Sequence, residues 1–238
     1  METLLSGAKK LGVGLTPEQL SQFDAYYQEL VAWNRKMNLT AIVDYEEVQV
    51  KHFLDSLTVA LAFAGKPPPN LLDVGTGAGF PGIPLKIVFP EMRLALLESV
   101  AKKTVFLDHL LAELGLGNAE ILTGRAEDFA RDEKYRERFA FVVSRGVAKL
   151  STLVELALPF CALGGTFVAQ KRGELESEIA EARGAIDVLG GKLREVMSVG
   201  LEELGDRALI IIDKVSATPE RYPRRAGIPA KRPLKLAS

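Results

Sequence analysis

The chain has 238 residues and a mass of 25.9 kDa, with 47% apolar and 26% charged residues, the balance of a globular fold that buries roughly 70% of its unfolded surface. Cys161 is the one cysteine, which excludes an internal disulfide and a paired-cysteine zinc site. Net charge is −1, but Arg221, Arg224, Arg225, Lys231, Arg232 and Lys235 follow Glu220 with no acid among them, leaving 24 basic against 31 acidic residues before Arg221. A basic tail on an acidic body suits a polyanionic partner. Met1-Glu2-Thr3 opens no secretory signal and no apolar run nears the ~18 residues of a membrane span, so the expectation is a cytoplasmic protein with no membrane partner.

In chain order, Thr16-Pro17-Glu18-Gln19 reads as a helix start: threonine as cap, proline in the first turn and Gln19 where a capping box wants it. Leu20, Phe23, Tyr27, Leu30, Val31 and Trp33 then recur at helical spacing to about Met37. Trp33 reads as core, while Asn34, Arg35, Lys36 and Asn38 are candidates for the edge of a nucleic-acid site. Asp44 caps a second helix carrying Val48, Phe53, Leu54, Leu57 and Leu61, which Pro67-Pro68-Pro69 stops. Residues 1–66 are thus expected to form a helical extension, residues 67–216 the main domain and residues 217–238 a basic tail packing on or near the active site.

From residue 71 strands alternate with helices. Strands are predicted at Leu71–Val74, Leu94–Glu98, Ala119–Leu122, Phe139–Ser144 and Thr166–Gln170, with helices near Ile83–Phe89, Lys102–Leu114, Ala126–Ala130, Leu153–Phe160 and Glu174–Leu189. Two last strands fall near Lys192–Val199 and Arg207–Val215, and the link Gly200–Asp206 is too short for a crossover, so they should pair antiparallel. The fold class that follows is α/β: a Rossmann-like sheet of seven strands, mostly parallel with one reversed, and helices on both faces. The charge-dense run Arg131–Arg138 reads as a solvated loop or short helix.

Residues Leu71 to Gly82, LLDVGTGAGFPG, carry the strongest signal. A buried strand that breaks into glycines before a helix lets a ligand approach bare backbone N–H groups at the carboxyl end of the sheet. Two cofactors fit these letters. Asp73 followed by Gly75, Gly77 and Gly79 suits S-adenosylmethionine, whereas Gly77, Gly79 and Gly82 satisfy the dinucleotide pattern G-x-G-x-x-G. Placement favours the first, because the dinucleotide pattern wants its opening glycine directly after the strand, and that residue is Gly75. Glu98 ends the second strand 23 residues beyond Gly75, where an acid can accept both ribose hydroxyls. Gly124-Arg125-Ala126-Glu127-Asp128 follows the third strand, where an adenine would lie; Glu127 or Asp128 could equally cap the next helix. Ser144-Arg145-Gly146 ends the fourth strand facing the transferred group. No Pro-Pro-aromatic cluster of the exocyclic-amine methylating enzymes stands there, Cys161 lies too far on to be a nucleophile, and His52 and His109 read as structural or peripheral.

The same residues resemble a known family, the bacterial guanine-N7 methyltransferases of 16S ribosomal RNA, also called small-subunit methyltransferase G or glucose-inhibited division protein B. Trp33-Asn34 with Met37-Asn38-Leu39-Thr40 resembles its W-N-x-x-x-N-L-T, and His52 to Leu57 its H-x-x-D-S-L. Asp73 to Gly82 resembles D-x-G-[ST]-G-x-G-x-P-G, while Glu98-Ser99 with Lys102-Lys103, Ala126-Glu127, Ser144-Arg145 and Tyr222-Pro223-Arg224-Arg225 through Pro233-Leu234 continue the match. Ser144-Arg145-Gly146 departs from the usual S-R-A by one methyl. The resemblance implies S-adenosyl-L-methionine as cofactor, with contacts at Gly75, Phe80, Glu98, Ser99, Val100, Ala126, Glu127 and Arg145, the last positioning base or donor. It also implies 16S rRNA or the small subunit as partner, guanine N7 as acceptor, and no general base; the expected state is a monomer. Arg221, Arg224, Arg225, Lys231 and Arg232 are expected to grip phosphates along an extended strip, with Tyr222 stacking on a base.

Overall fold

The computed structural model describes residues 1–63 and 65–234, so Lys235 of the basic tail lies outside the described residues. A first helix that the apolar spacing left unannounced, α1 (Glu2–Lys10), precedes α2 (Pro17–Met37). The capping box at Thr16 forms: Gln19 N donates to Thr16 Oγ1 (3.3 Å) and Thr16 N donates to Gln19 Oε1 (2.9 Å). The second predicted helix is not a uniform α-helix. Asp44 caps α3 (Tyr45–Val48), a π-helical stretch spans Gln49–Leu54, α4 (Asp55–Leu57) follows, and a 3-10 stretch over Thr58–Phe63 ends the segment. A π turn adds a residue to the ring and rotates the following side chains about the axis, a device concentrated at functional sites. Apolar periodicity does not register it.

The sheet contains β1 (Asn70–Val74), β2 (Arg93–Glu98), β3 (Ala119–Thr123), β4 (Phe139–Arg145), β5 (Cys161–Arg172), β6 (Gly191–Ser198) and β7 (Arg207–Lys214). Their spatial order is β3-β2-β1-β4-β5-β7-β6, with β7 antiparallel to both neighbours and every other pairing parallel. The crossovers are α5 (Gly82–Val88), α6 (Ala101–Glu113), α7 (Ala126–Phe129), α8 (Leu150–Ala157) and α9 (Glu176–Val188). β5 is longer than the predicted Thr166–Gln170 because the strand takes in the Leu163-Gly164-Gly165 step. The chain leaves β1 in one direction toward β2 and β3, then returns to lay β4 on its other side. That reversal opens a crevice at the carboxyl ends of β1 and β4.

Strand side chains alternate between two cores. Leu71, Leu94, Leu96, Phe141, Val143 and Ile211 pack with α1, α2, α5 and α6, whereas Leu72, Val74, Leu97, Val142, Phe167 and Ile212 pack with α8 and α9. Residues 1–66 therefore share the first core with the sheet; the change of sequence character near residue 66 marks no break in packing. Helix α2 also supplies donors to the free carbonyls of its neighbours: Gln19 Nε2 to Ile87 O (3.0 Å) and Val88 O (3.2 Å), and Gln22 Nε2 to Leu114 O (2.8 Å). Trp33 packs on Phe106 and His109, as a core residue should.

The Arg131–Arg138 run is a largely exposed loop of turns, and two of its arginines fasten the tail to the body: Arg136 donates to Tyr222 O (2.9 Å) and Thr218 O (2.7 Å), and Arg131 to Pro223 O (2.6 Å). Planar guanidinium forks suit such main-chain acceptors. The tail so fastened folds back as a strap that ends in the short helix α10 (Ile228–Lys231).

Tyr26 of α2 is fully buried, donates to Ala78 O (2.6 Å) and stacks at 5.2 Å on Phe80, so one side chain ties the extension to the loop after β1. Tyr26→Phe should lower stability by about 1 kcal/mol, the net worth of one such hydrogen bond. A urea titration should show the midpoint falling with an unchanged slope.

Candidate active site

The loop after β1 is shaped from beneath by Asp73, which is fully buried. Its Oδ2 accepts from Thr76 Oγ1 (2.6 Å) and from Gly82 N (2.8 Å), closing the turn onto the start of α5. Gly75, Gly77 and Gly79 have φ of 72°, 62° and 101°, a region closed to most side chains. Their surroundings differ. A Cβ on Gly79 would lie 2.7 Å from both Tyr26 Oη and Ile83 Cδ1, one on Gly75 would lie 2.5 Å from Val147 Cγ2, and one on Gly77 would meet nothing within 4 Å. Thus Gly77 is the glycine open to a ligand, Gly79 serves packing, and Gly75 lets the loop after β4 cross above it.

The crevice has two lobes of about 210 and 360 Å³, which share Gly75, Ser99 and Val147. The smaller is walled by Gly124, Arg125, Ala126 and Glu127 and roofed by Gly227 and Ala230 of the strap. The larger is walled by Thr76, Gly77, Phe80, Glu98, Lys103 and Arg145, with Thr40 and His52 from the helical extension. Glu98 lines the larger lobe, next in sequence to the shared Ser99: its Oε2 accepts from Gly77 N (3.0 Å) and its Oε1 from Val100 N (2.8 Å). A carboxylate has about four lone-pair directions, so sites remain for two hydroxyls.

Several residues singled out from the sequence stand elsewhere than expected. Asp73 and Gly79 lie beneath the loop, and Val100, whose side chain is exposed, reaches the site through its backbone N–H to Glu98. Glu127 does not cap a helix; its Oε1 accepts from Gly227 N (2.8 Å) and holds the strap over the smaller lobe. Tyr222 is 8% exposed and shows no free ring face for base stacking. Arg224 is consumed by a forked ion pair with the buried Glu155, through Nε to Oε1 (2.9 Å) and Nη2 to Oε2 (2.6 Å). Arg221, Arg225, Lys231 and Arg232 remain exposed.

Sequence reasoning undervalued His52 and passed over Asp55. The π-helical turn carries His52 onto the crevice wall, where its ring stacks on Phe80 (4.6 Å, 23°) and its Nε2 bonds Thr40 Oγ1 (2.8 Å). Arg145 projects over the same Phe80, with Cζ 4.9 Å from the ring centre. Asp55, fully buried, holds that arginine: its Oδ2 accepts from Arg145 Nη1 (2.9 Å) and from Arg207 Nη2 (2.7 Å). The available signal was His52 and Asp55 three residues apart in a polar interruption of an apolar helix.

Burial pushes the Asp73 carboxyl up to about 6, against its hydrogen bonds from Thr76 and Gly82. Burial, and then the charge of Arg145, pushes His52 down to about 4, so its ring is neutral at pH 7. Burial likewise lifts the Cys161 thiol to about 12, which removes it as a nucleophile. The first two shifts act oppositely on stability. Between pH 4 and 6 the folded chain retains a proton on Asp73 that the unfolded chain has released, so stability falls as pH rises. Between pH 4 and 6.5 the folded chain lacks the proton that unfolded His52 binds, so stability rises. Relative to the unsubstituted chain, Asp73→Asn should tilt the stability–pH curve upward across this window and His52→Asn should tilt it downward, read from urea midpoints.

Among the described residues no helix is long and apolar enough to cross a membrane, and no cluster of His, Cys, Asp and Glu could hold a metal ion. The solved O-methyltransferase from Bacillus cereus in complex with SAH superposes with a TM-score of 0.56 at 20% identity, covering 80% of this chain and 91% of that one; the fold is the Rossmann-like methyltransferase fold. The ribosomal RNA small subunit methyltransferase G of Dehalococcoides mccartyi is 51% identical over 235 residues, covering 98% of this chain and 100% of its own. That of Brevibacillus brevis is 49% identical, covering 94% of each. The family model described as rRNA small subunit methyltransferase G matches residues 19–210. With its glycine loop, strand-end acid and helical extension in the places the motifs require, the chain belongs to the rRNA small subunit methyltransferase G family.

Proposed function

We propose that this protein transfers a methyl group from S-adenosyl-L-methionine to N7 of a guanine in 16S ribosomal RNA of the small subunit. The two-lobed crevice fits the cofactor: an open glycine at Gly77, a strand-end carboxylate at Glu98, and a lobe beside Ala126 closed by a strap. Glu98 would hold the ribose, Ala126 and the strap (residues 217–234) the adenine, and Gly75, Gly77 and Arg145 the amino-acid end. Bound there, the cofactor supplies a methyl group on a positively charged sulfur.

The observation that carries the acceptor assignment is the lack, among the described residues, of a free base in the larger lobe. His52 is neutral with Nε2 engaged by Thr40, Glu98 is committed to two backbone N–H groups and, in this reading, to the ribose, and Lys103 and Arg145 are cations. Guanine N7 has an unprotonated lone pair and needs no proton removed. The work left to the chain is orientation, which can be worth roughly 7–11 kcal/mol. Phe80, His52 and the Asp55-anchored guanidinium of Arg145 form a rigid wall against which a base can be aligned. N7 lies on the major-groove edge, too narrow to read in paired A-form RNA, so the guanine must be unpaired or flipped out.

Incubated with labelled S-adenosylmethionine and small-subunit particles lacking the modification, the protein should place label in the RNA at one guanine, in a base whose imidazolium ring opens in alkali. Label in protein, or at a different base atom, would overturn the reading. Glu98→Ala should raise the calorimetric Kd for the cofactor roughly 10–100-fold, as hydrogen bonds to a charged group are worth about 1.5–3 kcal/mol; NAD should not bind. The single-turnover rate at saturating substrates should be flat from pH 6 to 8.

A further inference from the structure

The ends of the crevice differ in what surrounds them. The strap lies over the smaller lobe, and its two most specific candidates for RNA contact are already used: Arg224 by Glu155, and Tyr222 by burial. The larger lobe instead runs on, past His52, Arg145 and Gly146, into a surface groove of about 380 Å³ lined by Ile42, Lys51, Gln170, Lys171, Arg172 and Arg207. This groove is rich in cations, while the chain before Arg221 as a whole has 24 basic and 31 acidic residues.

The acids that face it are few. Asp55 is buried and shared by Arg145 and Arg207; Glu178 pairs with Lys171 (2.6 Å), and Glu47 with Lys51 in an exposed i,i+4 pair. Such exposed pairs contribute little, so Lys51 is free to turn to a stronger anion. Arg172 is exposed and has no ion-pair partner among the described residues. Lys103 stands on the facing wall of the larger lobe. A polyanionic strand that delivers one base to Phe80 and Arg145 must carry its own phosphates past this region, and the cations lining the groove would fix its course.

Resting on the activity proposed above, we infer that the groove between the π-helical turn and the ends of β5 and β7 is the path of the RNA strand flanking the target guanine. Lys51 and Arg172 take its phosphates, and the basic strap does not. Two multiple variants separate these surfaces, K51Q/R172Q for the groove and R221Q/R225Q/K231Q/R232Q for the strap, each checked for intact folding by its urea midpoint and circular dichroism. Binding of small-subunit particles and of naked 16S RNA is then measured against salt concentration. The groove variant should bind RNA ~10-fold more weakly at low salt, with a logarithmic salt slope smaller by about 2, one for each phosphate that a cation no longer neutralises. The strap variant should keep the original slope. A groove variant with the unsubstituted slope, whatever the strap variant does, would overturn the path. Failure of the unsubstituted protein to label RNA would instead overturn the activity and this path with it.

Discussion

The structure depends on how a loop rich in glycine is prevented from sampling the many shapes glycine allows. The answer is a carboxylate shut away from water. Asp73 spans the turn from Thr76 to Gly82, and the Tyr26 hydroxyl and the Glu98 carboxylate restrain Ala78 and Gly77 at either side. Glycine lowers the steric barrier to the conformation but raises its entropic cost, and these fixed partners offset that cost before any ligand arrives. The burial that makes Asp73 an effective brace also opposes its ionisation, so the loop carries strain in the form of a displaced acid equilibrium.

Around that loop the molecule divides its tasks by element. The doubly wound sheet supplies the crevice, β2 ends in the acid that lines its larger lobe, and the strap closes one end through Glu127 and Glu155. The helical extension is not an appendage. It caps α5 and α6, shares their core, delivers Thr40 and His52 to the wall, and buries Asp55 against Arg145. Asp55 links residues from three distant parts of the chain, and breaking such a buried pair strands an uncompensated charge.

Much of this was legible beforehand. Strand and helix order followed from apolar periodicity and the proline and glycine breaks, and the reversed β7 from a link too short for a crossover. The place of Glu98 at the end of β2, against the glycine loop, could be read because the strand ends in an acid 23 residues beyond Gly75. What stayed hidden depends on partners distant in sequence. The π turn that aims His52 is marked only by the polar interruption of His52 and Asp55, which apolar periodicity does not register, and Arg224 looks like any exposed arginine until Glu155 is found beneath it. The basic run after Glu220 was a sound charge argument, but Arg224 is already engaged by Glu155 and Tyr222 is buried, while Arg221, Arg225, Lys231 and Arg232 stay exposed.

The account rests on a sulfonium nucleoside lying along the first glycine loop with its ribose on the acid that ends β2. A crystal structure of the protein with S-adenosylhomocysteine tests this most directly. The account predicts ribose hydroxyls within hydrogen-bonding distance of Glu98 and the adenine between Ala126 and the strap; a nucleoside bound elsewhere, or an empty crevice at saturating ligand, would contradict it.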